Sequence, residues 1–114
     1  IQRARFRQAG EGPGIVQVAE RRLAYLGPLT GGQMDIADLT RLELDPTGHP
    51  AAHWILTGID GQSIAIPVNA QNADALFDLF GSLQGIQMTA MLDVLSQTPD
   101  VRVTVWEKTP TLLH

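Results

Sequence analysis

At 114 residues, with 44% hydrophobic residues and a net charge of -4, the chain has the size and composition of one folded domain, which argues against a disordered segment or a general nucleic-acid binder. It contains no cysteine, so disulfides, thiolate metal sites and cysteine nucleophiles are excluded. Three Phe, two Trp and one Tyr supply no broad platform for stacking single-stranded bases.

The charge is uneven. Arg3, Arg5 and Arg7 place three positive charges in IQRARFRQ, at the start of a chain that is acidic overall. Basic residues beside a membrane helix stay on the cytoplasmic side and meet anionic lipid. Residues 1–11 are therefore read as a basic, juxtamembrane-type segment, with a solvated terminus as the plainer alternative. No run approaches the ~20 apolar residues needed to span a bilayer, so a membrane helix would lie upstream of Ile1. The glycines of GEGPG at 10–14 mark a junction; residues 12–108 form a single domain, followed by a tail at 109–114.

Residues 15–19 (IVQVA) are rich in β-branched side chains, and a polar turn at Glu20, Arg21 and Arg22 separates them from a second apolar run at 23–26. This predicts a hairpin. Gly27-Pro28 breaks it, and LTGG at 29–32 predicts another turn before the run at 34–36. Thr40, Leu42 and Leu44 then alternate with Leu39, Arg41 and Glu43, the period of a half-exposed strand. DPTGHPAA at 45–52 reads as a loop.

The stretch from 53 to 80 combines strand, turn and helix signals. Asp60-Gly61 suits a two-residue turn with positive φ. That register pairs Thr57 with Ile64 and Ile55 with Ile66 on one face, and Leu56 with Ala65 and Trp54 with Pro67 on the other, so both faces of the hairpin would need cover. Pro67 ends the second strand, and Asn72 is the better of two candidate caps for a helix near 73–84, with Leu76, Phe77, Phe80 and Leu83 on its apolar face and Gly85 as a left-handed terminator. A second apolar stripe, Met88, Met91, Leu92 and Leu95, predicts a helix near 87–97 that stops before Pro99. VRVTVW at 101–106 begins a final strand at 101–107, with Val101, Val103 and Val105 on one face and Arg102, Thr104 and Trp106 on the other. The fold expected is α+β: a mainly antiparallel curved sheet or partial barrel of about six to seven strands with two helices.

No catalytic constellation emerges. His49 and His53 are four apart but span Pro50, and no third ligand accompanies them, so no metal site is assigned. Asp35, Asp38, Glu43 and Asp45 are acidic neighbours without an implied cleft. GEGPG and TGG lack a phosphate-cradling pattern, and Ser63 and Ser82 lack a nucleophile-elbow context. No cofactor is implied. Met88 and Met91 are assigned to core packing ahead of an adaptable groove. Trp54 and Trp106 form a partner patch if both face outward and otherwise anchor the helices. Arg21 and Arg22, with Arg3, Arg5 and Arg7, are the candidate contacts for an anionic membrane surface.

The strands between 14 and 67, closed by an amphipathic helix, resemble bacterial PH-like domains. GPGIVQVAERRLAYLGPLTGG and WILTGIDGQSIAIPVNAQNADALFDLF look like small, uncharacterised, membrane-anchored proteobacterial proteins. The resemblance implies a helix plugging one end of a curved sheet, and anionic head groups bound at a basic turn between the first two strands. Residues 86–106 depart from the simple PH plan. The expected function is a membrane-proximal protein-interaction or regulatory module meeting a protein partner or a second copy. The alternatives are a domain binding anionic lipid, and a small enzyme or enzyme subunit without a recognisable motif. The expected location is the cytoplasmic side of the bacterial inner membrane if a membrane helix precedes Ile1, and otherwise the cytoplasm.

Overall fold

The structure, a computed structural model, describes residues 14–28, 31–47, 51–97 and 100–108. It is α+β, and the described residues form seven strands in two sheets. The first sheet is a meander of β1 (Ile15–Ala19), β2 (Arg22–Leu26) and β3 (Gly31–Asp35). The second contains β4 (Leu39–Asp45), β5 (His53–Gly58), β6 (Ser63–Pro67) and β7 (Val103–Glu107) in the order β6-β5-β4-β7. All pairings within the sheets are antiparallel. Helices α1 (Ala75–Phe80) and α2 (Met88–Gln97) lie between β6 and β7 in the chain. Arg3, Arg5, Arg7, His49 and the 109–114 tail lie outside the described residues.

The β5–β6 hairpin departs from its expected register by one residue. Leu56 lies opposite Ile64 and Trp54 opposite Ile66. Gly61, at φ +84°, is the single residue of the turn with positive φ, whereas a type I′ turn needs two. Gly61 N–H donates to the Gly58 carbonyl, and Gly58 N–H donates to the Gln62 carbonyl. This is a three-residue loop with glycine in the left-handed bulge position. The Asp60 carboxylate holds it by accepting from Gln62 N–H at 3.0 Å. A slip of one residue flips every side chain. Trp54, Leu56, Ile64 and Ile66 consequently share one buried face, while Ile55 is half-buried and Ala65 exposed on the other.

Trp54 is 1% exposed, so it belongs to the core and to no exposed partner patch. Its ring meets those of Phe77 and Phe80 edge-on, with centroids 6.2 and 5.7 Å away. These contacts seat α1 on the sheet through Leu76, Leu79 and Phe80, which are buried. The helix is shorter than expected: residues 81–85 continue as turns, with Gly85 in the left-handed conformation. Asp74 occupies the cap position and makes no side-chain capping bond. Asn72 instead takes φ +67° and donates its side-chain amide to the Val16 carbonyl at 3.0 Å. Beside it, Gln71 and β1 are joined by Val16 N–H to Gln71 carbonyl and Gln71 N–H to Gly14 carbonyl, both 2.9 Å. The chain entering α1 thereby covers the outer edge of the first sheet.

Two further expectations are corrected. Gly31 and Gly32 belong to β3 and not to a turn, and close neighbours there leave little room for a side chain. A Cβ on Gly31 would lie 2.7 Å from the Tyr25 carbonyl oxygen, and one on Gly32 3.1 Å from the Ile64 side chain. The regular alternation assigned to 101–106 is broken by a bulge. Leu42 pairs with Trp106 and Leu44 with Val103, both on the buried side of β4. A second irregularity, between Leu39 and Arg41, lets Leu39 join Leu42 and Leu44 in the core. Of the second stripe, Met91 is buried, Met88 and Leu95 are half-buried, and Leu92 is 51% exposed.

Two substitutions separate the turn from the core. Gly61→Ala meets no atom within 4 Å, so its cost is conformational, about 1–2 kcal/mol. Trp54→Ala opens a cavity against Phe77 and Phe80 and costs about 3–5 kcal/mol. Urea denaturation of both variants checks the order, and Trp54→Ala proving the milder would contradict it.

Candidate functional site: a groove between two cations

Four distant segments meet in a groove of about 710 Å³. Arg21 comes from the first hairpin turn, Ile36, Ala37 and Leu39 from the crossing between sheets and the start of β4, residues 82–85 from the chain after α1, and Trp106 and Lys108 from the end of β7. The crossing is a single 3-10 turn, Ile36–Asp38, started by the Asp35 carboxylate accepting from Ala37 N–H at 2.9 Å. Ile36, Leu39 and Leu83 are buried. They form an apolar floor.

The backbone at each cation is fixed. Ile36 N–H donates to the Arg21 carbonyl, and Lys108 N–H donates to the Thr40 carbonyl, both at 2.8 Å. The two side chains are carried by exposed residues. Between them Trp106 is half-buried, its indole N–H donating to the Gln84 carbonyl at 2.9 Å. No carboxylate is among the described residues lining the groove. The site can therefore hold an apolar group on its floor and anionic groups at its rim.

The other singled-out residues lie apart from this arrangement. Arg22 stands in β2 opposite Asp35 and borders a cleft of about 250 Å³ with Asp35, Asp38 and Asp60. Arg21 and Arg22 share a depression of about 650 Å³ with Glu20 and Asp35. Sequence reasoning missed this acidic neighbourhood because Asp60 arrives from the β5–β6 turn. No group of three or more His, Cys, Asp or Glu suited to a metal occurs among the described residues. Nor is any described helix long and apolar enough to cross a membrane. Lys108 and Gln84 have no local signal in the sequence; the end of β7 and the turns after α1 bring them into the groove that Arg21 lines.

The outer face of β4 and β7 carries a row of ion pairs. Arg41 meets Glu107 at 3.3 Å, and Arg102 meets Asp45 at 3.1 Å and Glu43 at 3.9 Å. Asp45 is held at about 2, below its ordinary 3.8. The Thr47 hydroxyl is the largest cause, followed by Thr47 N–H; these donate at 2.6 and 3.0 Å, and Arg102 adds a smaller effect. No match to this chain is found among protein-family models, curated proteins or solved structures.

Because the folded carboxyl of Asp45 titrates below the free one, its contribution to stability is complete above pH 3.8 and is lost as the pH falls toward 2. An NMR titration of the Asp45 side chain gives a midpoint near 2. Thr47→Ala raises that midpoint more than Arg102→Ala does; the reverse order would show that the ion pair dominates.

Proposed function

We propose that the domain is a non-catalytic, membrane-proximal interaction or regulatory module that holds a segment of a protein partner in the groove between Arg21 and Lys108. The observation that carries this reading is the pairing of a buried apolar floor with two cations on fixed backbone, in a lining free of described carboxylates. A segment with an apolar side chain flanked by acidic residues fits that chemistry. The Arg3, Arg5 and Arg7 segment supports a position near an anionic membrane surface. A PH-like plan is part of the proposal. Seven strands in two sheets with a helix over the buried face favour it, although both helices precede the last strand.

A protein segment is favoured over a lipid head group by the surroundings of Arg22. A phosphate-binding turn would use Arg21 and Arg22 together, but Arg22 borders Asp35, Asp38 and Asp60, which repel a phosphate.

Site-specific photocrosslinking tests the proposal. A photoreactive residue at Gln84, introduced into the chain in its native cells, gives a protein adduct that disappears with Arg21→Glu and Lys108→Glu. The same residue at Ala65, exposed on β6, gives none. A lipid adduct at Gln84, or equal labelling from both positions, would overturn the assignment.

A further inference from the structure

The two sheets end differently. The outer edge of β1 is bonded to Gln71, whereas β7 closes the second sheet with no described strand beyond it. Lys108 N–H donates inward to Thr40, so alternation along the strand turns the backbone groups of Glu107 outward. A cleft of about 260 Å³, lined by Gln87, Ala90, Val105 and Glu107 among others, separates this edge from the start of α2. The edge is open.

We propose that β7 is a self-association surface, pairing antiparallel with β7 of a second copy about a two-fold axis between Thr104 and Val105. This proposal rests on other observations than the groove does, and Trp106 belongs to both surfaces. In this register Arg102 of one protomer lies opposite Glu107 of its partner, and the contact repeats by symmetry. The outer face then reads Asp45, Arg102, partner Glu107, partner Arg41, alternating in sign across four strands. On the other face Val103 meets the partner's Trp106.

The bulge makes this register possible. In a regular strand, residues an odd number apart point to opposite faces, so Arg102 could not share a face with Glu107, nor Val103 with Trp106. The bulge puts Val103 and Trp106 on the core side, as their pairing with Leu44 and Leu42 shows, and Arg102 and Glu107 on the outer side with Asp45 and Arg41. Shifting the axis by half a residue would set Arg102 against Lys108 or Trp106. Neither alternative pairs opposite charges.

Sedimentation velocity on the 114-residue chain tests the proposal, with single cysteines placed in a background that has none. We expect a concentration-dependent dimer. Thr104→Cys, next to the axis, oxidises to a covalent dimer, and Ala65→Cys, at the far end of the sheet, does not. Thr104→Lys sets two like charges beside the axis and weakens association at least about tenfold while the circular dichroism spectrum is unchanged. A monomer at every concentration, or a dimer that ignores Thr104→Lys and crosslinks through Ala65→Cys, would overturn it.

Discussion

The packing of Trp54 depends on the turn that precedes β6. With Gly61 in the left-handed conformation, the hairpin closes as a three-residue loop, and Trp54, Leu56, Ile64 and Ile66 fall on one side. Phe77 and Phe80 close over Trp54. A register one residue away would scatter the same four side chains over two faces and leave α1 without a seat. The helix then positions residues 82–85, one wall of the groove. One backbone conformation is thus linked through the core to the candidate site.

Much of the architecture was legible because it is local. The first hairpin, the alternation from Thr40 to Leu44, the Pro67 stop and the amphipathic run after Asn72 are signals carried by neighbours in sequence. What was not legible depends on partners far along the chain. Gly31-Gly32 carries the composition of a turn, and only the approach of Tyr25 and Ile64 makes it a strand. Asn72 has the chemistry of a cap, but its amide is spent on Val16. The bulge before Trp106 leaves no mark on the alternating pattern VRVTVW. Trp54 is core and anchors α1, one of the two readings its sequence position allows, and Trp106 lines a groove with Lys108 and Gln84, which carry no signal of their own.

Charge follows the same logic. Arg21 and Arg22 are adjacent, but one reaches the groove and the other borders three aspartates. Arg102 and Glu107 look like unrelated surface charges, and strand pairing sets them in a single row with Asp45 and Arg41. Exposed pairs of this kind contribute little stability each, about 0–1 kcal/mol. In the proposed dimer their role is to specify which edges fit together. The apolar core supplies stability.

The register of β5 and β6 is the claim on which the rest stands, and cross-strand nuclear Overhauser effects measure it directly. Close Hα–Hα contacts mark the non-hydrogen-bonded pairs of an antiparallel ladder. With Gly58 and Gln62 hydrogen-bonded, those pairs are Thr57 with Ser63 and Ile55 with Ala65. Strong Hα–Hα contacts between them are the result the account predicts. A strong contact between the α-protons of Leu56 and Ala65, the pattern of a two-residue turn, would contradict it.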